Sequence, residues 1–170
     1  MEKNQVKQII EALIFITDTP LSVQSISGIL GETGLGHNVE SLVQDIGKDY
    51  DANQSPMELK FIAGGYQLAT RKEFAPWIHR LYKEKTTLRL SASAMETLSI
   101  IAYKQPITRS EIEEIRGVEA TGVLETLLER KLIRIVGRKE TIGRPLLYGT
   151  TTEFLRHFGL GHLTELPSIE

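Results

Sequence analysis

Between Ser91 and Thr152 the spacing of apolar residues changes period in an order that few folds accommodate. Ala94, Leu98, Ile101 and Ala102 recur at helical spacing and stop before Pro106, which predicts a first helix. Ser93 and Glu96 have the form of a capping box at its start: the serine oxygen takes an orphan N–H and the glutamate reaches back. Thr108 and Glu111 repeat that pattern, Ile112 and Ile115 give a second helix its buried face, and Gly117 stands where a left-handed C-terminal residue is favoured. A third helix, Thr121 to Arg130, is expected to bury Val123, Leu124, Leu127 and Leu128. The period then falls to two, with Ile133 and Ile135 pointing one way and Arg134 the other. After a loop from Gly137 to Pro145, Leu146 to Gly149 supplies the return strand. Three helices and a hairpin make a winged helix-turn-helix.

The first half follows the same plan. Val6, Ile9, Ile10, Leu13 and Ile16 predict an amphipathic helix over residues 5–17, stopped by Asp18-Thr19-Pro20. Ser22 can cap a second helix that buries Ile26, Ile29 and Leu30 and ends at Gly31. Gly31 to His37 lacks the lysine of a phosphate-binding loop and follows no strand, so it reads as a turn. A third helix, Asn38 to Tyr50, uses Val39, Leu42, Val43 and Ile46, and strands Met57–Ile62 and Tyr66–Thr70 join around Gly64-Gly65. A shift of 86 residues lays Pro20 on Pro106, Leu21 on Ile107, Ser22 on Thr108, Ile26 on Ile112, Ile29 on Ile115 and Gly31 on Gly117. The agreement falls at caps, core and stops, where folding constrains residue type most.

The expected fold class is therefore mainly α with small β-hairpins (α+β): two tandem winged-helix domains, residues 1–86 and 87–170. Arg71 to Lys85 is expected to form a helix at the end of the first domain, with Phe74, Ile78, Leu81 and Tyr82 on one face and Pro76 in its first turn. Thr86 to Leu90 then joins the domains as a limited hinge. Phe154, Leu155, Phe158, Leu160, Leu163 and Leu166 form a C-terminal apolar stripe expected to cover the second domain.

Composition removes several kinds of chemistry. There is no cysteine, which excludes a disulfide scaffold, a cysteine zinc site and thiol catalysis. His37, His79, His157 and His162 are scattered, without the spacing of a metal site. Glu111, Glu113 and Glu114 crowd one helix, but Glu111 already caps it and the others can be solvated beside Arg109 and Arg116. No nucleophile elbow or nucleotide fingerprint is present. The reading is a non-enzyme without cofactor or metal. The polar N-terminus and the lack of a long apolar run predict a cytoplasmic protein without a membrane partner.

Winged helices usually read DNA with a basic third helix. Here Thr121 to Glu129 offers Glu125 and Glu129 and no cation before Arg130, and its first-half counterpart carries Glu40, Asp45 and Asp49 against Lys48. Carboxylates pressed on phosphates repel, by roughly 1 kcal/mol or more per pair at surface dielectric. The net charge of −2 also argues against a nucleic-acid coat. The second wing is different: Arg130, Lys131, Arg134, Arg138, Lys139 and Arg144 are opposed only by Glu140. Three readings stay open for it: phosphate contact, a solvated hairpin paired with the domain's own glutamates, or recognition of an acidic partner segment by arginine forks. Tyr103 and Tyr148 could serve an interface or the core.

The run Glu96-Thr-Leu-Ser-Ile-Ile-Ala-Tyr-Lys-Gln-Pro-Ile-Thr-Arg-Ser-Glu-Ile-Glu-Glu-Ile-Arg-Gly-Val118 resembles the hallmark of the segregation and condensation protein B (ScpB) family. So do Val136-Gly-Arg-Lys139, Gly143-Arg-Pro-Leu-Leu-Tyr-Gly-Thr-Thr151 and Phe154-Leu-Arg-His-Phe-Gly-Leu160; residues 91–167 carry most of the likeness and the first half fits more loosely. The resemblance implies a homodimer formed chiefly through the N-terminal domain, and binding to the kleisin ScpA. Through the kleisin it implies assembly with the Smc ATPase in a bacterial condensin-like complex of chromosome condensation and partition, associated with the nucleoid and touching DNA only indirectly. From it we expect Val6, Ile10, Ile14 and Phe15 at the two-fold interface, and Tyr103, Gln105, Arg116, Arg138, Arg144 and Tyr148 of the C-terminal domain on the kleisin. The competing expectation is a dimeric winged-helix transcriptional regulator.

Overall fold

The computed structural model describes residues 2–34, 36–82 and 89–168, with the side chains of residues 33 and 34 left aside. The joining stretch expected at Thr86–Leu90 lies, up to residue 88, outside the described residues, as does the expected helix beyond Tyr82. The chain forms two compact units, Met1–Lys85 with Leu160–Glu165, and Thr86–Gly159 with Leu166–Glu170.

The first unit is built from α1 (Lys3–Ile16), α2 (Val23–Leu30), α3 (Val39–Ala52), β1 (Met57–Ile62), β2 (Gly65–Thr70) and the short α4 (Ala75–Leu81). Ser22 caps α2 by accepting from Ser25 N at 3.1 Å, and Asn38 caps α3 by accepting from Ser41 N at 3.0 Å. Gly31 stops α2 with φ of 50°, in the left-handed region where glycine is unstrained. The core joins Val6, Ile10 and Ile14 of α1 to Ile26 and Leu30 of α2 and to Val39, Leu42, Val43 and Ile46 of α3. Each such aliphatic side chain, fully buried, contributes about 1.5–3 kcal/mol.

Four expectations fail here. The buried stripe of α1 runs through Val6, Ile10 and Ile14, and Ile16 is exposed, because from Ile9 to Ile16 only Glu11 is polar and packing on α3 selects the face. Ile29 is exposed, one residue off the Ile26–Leu30 face. Phe74 and Ile78 are half-buried, but Leu81 and Tyr82 of the fourth-helix segment are exposed, as is Trp77. The hairpin also turns one residue earlier than expected: Ile62 pairs with Gly65, so Ala63 and Gly64 form the turn with φ of 51° and 80°. Gly65 is the first residue of the return strand, and it is glycine because a Cβ there would lie 2.8 Å from backbone carbons of Pro20 and Leu21. Leu21 bridges Tyr66 at that point.

The second unit contains α5 (Ala92–Lys104), β3 (Ile107–Thr108), α6 (Arg109–Arg116), α7 (Thr121–Glu129), β4 (Ile133–Arg138), β5 (Leu146–Thr150) and α8 (Thr152–Phe158). The strands pair in the order β3-β5-β4, antiparallel throughout. The Thr108–Glu111 capping box is complete, and Gly117 ends α6 with φ of 72°. The first box is not: Ser91 caps α5, accepting from Ala94 N at 3.1 Å, because the backbone is still extended at Ser91 and already helical at Ser93. Ile112 is buried but Ile115 is exposed. Ile133 is 2 % exposed and Ile135 48 %, the latter just before a bulge between Ile135 and Gly137.

The C-terminal stripe divides. Phe154 is buried in the second unit. Leu160–Glu165 belongs to the first, where Leu160 O accepts from Ala63 N at 2.8 Å and the His162 ring stacks 5.3 Å from Phe61. A Cβ on Gly161 would lie 2.7 Å from Phe61, so only glycine allows that approach.

Candidate functional site

The second wing is an ordered structure. Gly143 and Arg144 take φ of 84° and 40°, Arg144 N donates to Thr141 O at 2.9 Å, and Lys139 N donates to Pro145 O at 2.9 Å. Lys139 Nζ meets Glu111 Oε1 at 2.6 Å, while Glu111 Oε2 accepts from Thr108 N and Thr108 Oγ1. One carboxylate thus closes the cap of α6 and anchors the wing. The Lys139 ammonium first, then the two Thr108 donors, hold that carboxyl down at about 2. At the tip Arg144 pairs with Glu140 at 3.3 Å, Arg138 Nη1 donates to Arg144 O at 3.0 Å, and Ile142 at the apex is fully exposed.

The six residues expected to bind a partner do not form one face. Arg138 and Arg144 share the wing tip, exposed. Tyr103 is partly exposed, its hydroxyl donating to Pro167 O at 2.7 Å. Gln105 is occupied structurally: Nε2 donates to Ala102 O at 3.1 Å and Oε1 accepts from Thr150 N at 2.7 Å, fastening the end of α5 to β5. Tyr148 is a correction, since it stands mid-sheet between Ile107 and Ile135 and is only 8 % exposed. Arg116 is another. Its side chain is 5 % exposed, with Nη2 2.8 Å from Ser93 Oγ and 3.3 Å from Glu96 Oε2, and Nη1 is buried without a partner among the described residues. Glu96 and Gln105 are separated along α5 by roughly 13 Å at 1.5 Å per residue, so Arg116 ties α6 to the far end of that helix.

The expected dimer residues divide likewise. Val6, Ile10 and Ile14 fill the core of their own unit and offer no surface, whereas Phe15 is 68 % exposed. Phe15 borders a shallow groove with Gln8, Glu11, Ala12, Tyr50 and Met57. Tyr50 donates to Glu11 Oε1 there at 2.7 Å.

The two third helices differ from each other. Glu125 and Glu129 of α7 are exposed. On α3, however, Asp45 pairs with Lys3 at 3.1 Å and Asp49 with Lys7, so α1 neutralises part of that face. The Lys3 contact pulls the Asp45 carboxyl below its usual range.

Sequence reasoning missed a groove on the outer face of the second sheet, lined by Gln105, Pro106, Val136, Leu147 and Gly149. Its signal was Gly149, since glycine inside a strand often marks a close approach. A Cβ there would lie 2.9 Å from Val136 Cγ1 and 3.0 Å from Gln105 Oε1. Among the described residues no cluster of His, Asp or Glu could hold a metal, and no helix is long and apolar enough to cross a membrane.

The family model for the segregation and condensation complex subunit ScpB matches residues 8–169. Segregation and condensation protein B of Symbiobacterium thermophilum is 48% identical over 98% of this chain and 75% of its own length. The protein of the same name from Desulforamulus reducens is 46% identical over 99% of this chain and 91% of its own. Among solved structures, ScpB from Mycobacterium tuberculosis is 30% identical over 94% of this chain and 98% of its own, with a TM-score of 0.45.

Proposed function

The chain belongs to the ScpB family, and on that footing we propose that it is a non-catalytic subunit of a bacterial Smc–ScpA–ScpB complex in chromosome condensation and partition. It binds the kleisin ScpA and reaches Smc and DNA only through it. The observation that carries a protein-binding over a DNA-reading role is the outer face of α7, where Glu125 and Glu129 are exposed and no cation precedes Arg130. A transcriptional regulator would need the opposite charge on that helix. The cations stand on the wing instead, where Arg138 and Arg144 are proposed to meet acidic side chains of the kleisin.

Co-purification with ScpA tests this. The wild-type chain should retain purified ScpA, and Arg138→Glu with Arg144→Glu should weaken retention; equal retention removes the wing from the interface. We assign self-association to the exposed apolar surface of the first unit, with Phe15 in place of the buried positions of α1. Sedimentation of a dimer that Phe15→Asp converts to monomer supports this, and a monomeric wild type at micromolar concentration refutes it.

A further inference from the structure

We propose that the groove on the outer face of the second sheet is an anchor site for an acidic, amphipathic segment of the partner polypeptide, with one apolar side chain in the groove and a neighbouring carboxylate on Arg134. This deepens the kleisin-binding reading and rests on it.

The register of the sheet makes the site. Arg134 pairs with Gly149 and Ile133 with Thr150, so with Ile133 buried, Arg134 and Gly149 share the outer face. Val136, two residues after Arg134 and next to the bulge, shares that face, and its methyl lies against Gly149. Any larger residue at 149 would fill the floor of the groove. Val136, Leu147 and Pro106 give it apolar walls.

The polar group in the floor is already satisfied. Gln105 spends its amide on Ala102 and Thr150, leaving the groove suited to an apolar anchor rather than a hydrogen-bonding one. Charge settles what accompanies that anchor. Arg134 is exposed and has no carboxylate partner among the described residues, unlike Lys139 and Arg144 on the same wing. A cation on the same sheet face as an apolar depression fits an aliphatic or aromatic residue followed by Asp or Glu.

The test measures binding of purified ScpA to the full chain by calorimetry. Arg134→Glu and Val136→Asp should each weaken binding roughly tenfold. Lys48→Glu, the same charge change on α3 of the other unit, should leave it unaltered. Circular dichroism and melting should stay at wild-type values for all three, and Arg134→Lys should restore most of the affinity if Arg134→Glu acts through charge. Failure of the wild-type chain to bind ScpA overturns the kleisin reading and this inference together. Wild-type binding that survives both groove substitutions overturns the groove alone. Loss of affinity for a labelled DNA duplex in Arg134→Glu, with ScpA binding intact, would assign the residue to phosphate contact and overturn it too.

Discussion

The two hairpins end differently, although the helices beneath them are alike. In the first unit only Ala63 and Gly64 separate the strands, and Leu160 covers the turn by accepting from Ala63 N. In the second, the strands part at Arg138 and Leu146, and the loop between them is held by Lys139 on Glu111 and by its own backbone hydrogen bonds. Beneath both, Ser22 and Thr108 cap equivalent helices, Gly31 and Gly117 stop them, and Ile26 and Ile112 are fully buried. Even the strand contact repeats, Leu21 on Tyr66 and Ile107 on Tyr148. A duplicated scaffold has kept its folding signals and let its wings diverge. The turn of the first wing is covered by Leu160, and the second wing presents charge.

The equivalence is tested most severely in the cores. Ile26→Ala and Ile112→Ala should each cost about 2–5 kcal/mol by chemical denaturation of the full chain. A cost below about 1 kcal/mol for either would break the correspondence. The caps should differ. Thr108→Ala removes both the cap and a support of Glu111, whereas Ser22 faces Ser25, with no reciprocal carboxylate. Cap losses run about 0.5–2 kcal/mol, and Thr108→Ala should fall at the upper end with Ser22→Ala near the lower.

Acid should separate the units next. The Glu111 carboxyl lies at about 2 in the fold against an ordinary 4.5. Its stabilisation is therefore complete above about 4.5 and fades as pH falls toward about 2, while Glu111→Gln should lack that slope. Denaturation midpoints of wild type and variant should converge in that window; curves that stay parallel would place the anchor elsewhere. The smallest effect belongs to the first turn. Ala63 has a positive φ, so Ala63→Gly should stabilise by up to about 1 kcal/mol in thermal melts.

Local chemistry was the legible part. Ser22, Asn38, Thr108, Gly31 and Gly117 announce themselves because a cap or stop acts within a few residues. The failures have two causes. Helices α2 and α6 are only 8 residues long, so periodicity could not decide between Ile26 and Ile29 or between Ile112 and Ile115. Ser91 and Ser93 both resemble caps, and where the chain turns decides between them. Gly149 was the groove's one local signal; its walls and the place of Arg116 were illegible for another reason. A bulge, a strand register and a pairing from α6 to the start of α5 connect residues far apart in the sequence, and no local rule supplies them.

Leu160–Glu165 completes the first unit from the opposite end of the chain. A fragment cut after Lys85 would therefore keep every helix and strand of the N-terminal fold yet strip the Phe61 ring of its His162 neighbour and leave the Ala63 amide to solvent. Its melting temperature would understate what the intact polypeptide gives that half. Dissection of this protein into halves needs the tail returned, in cis or as an added peptide.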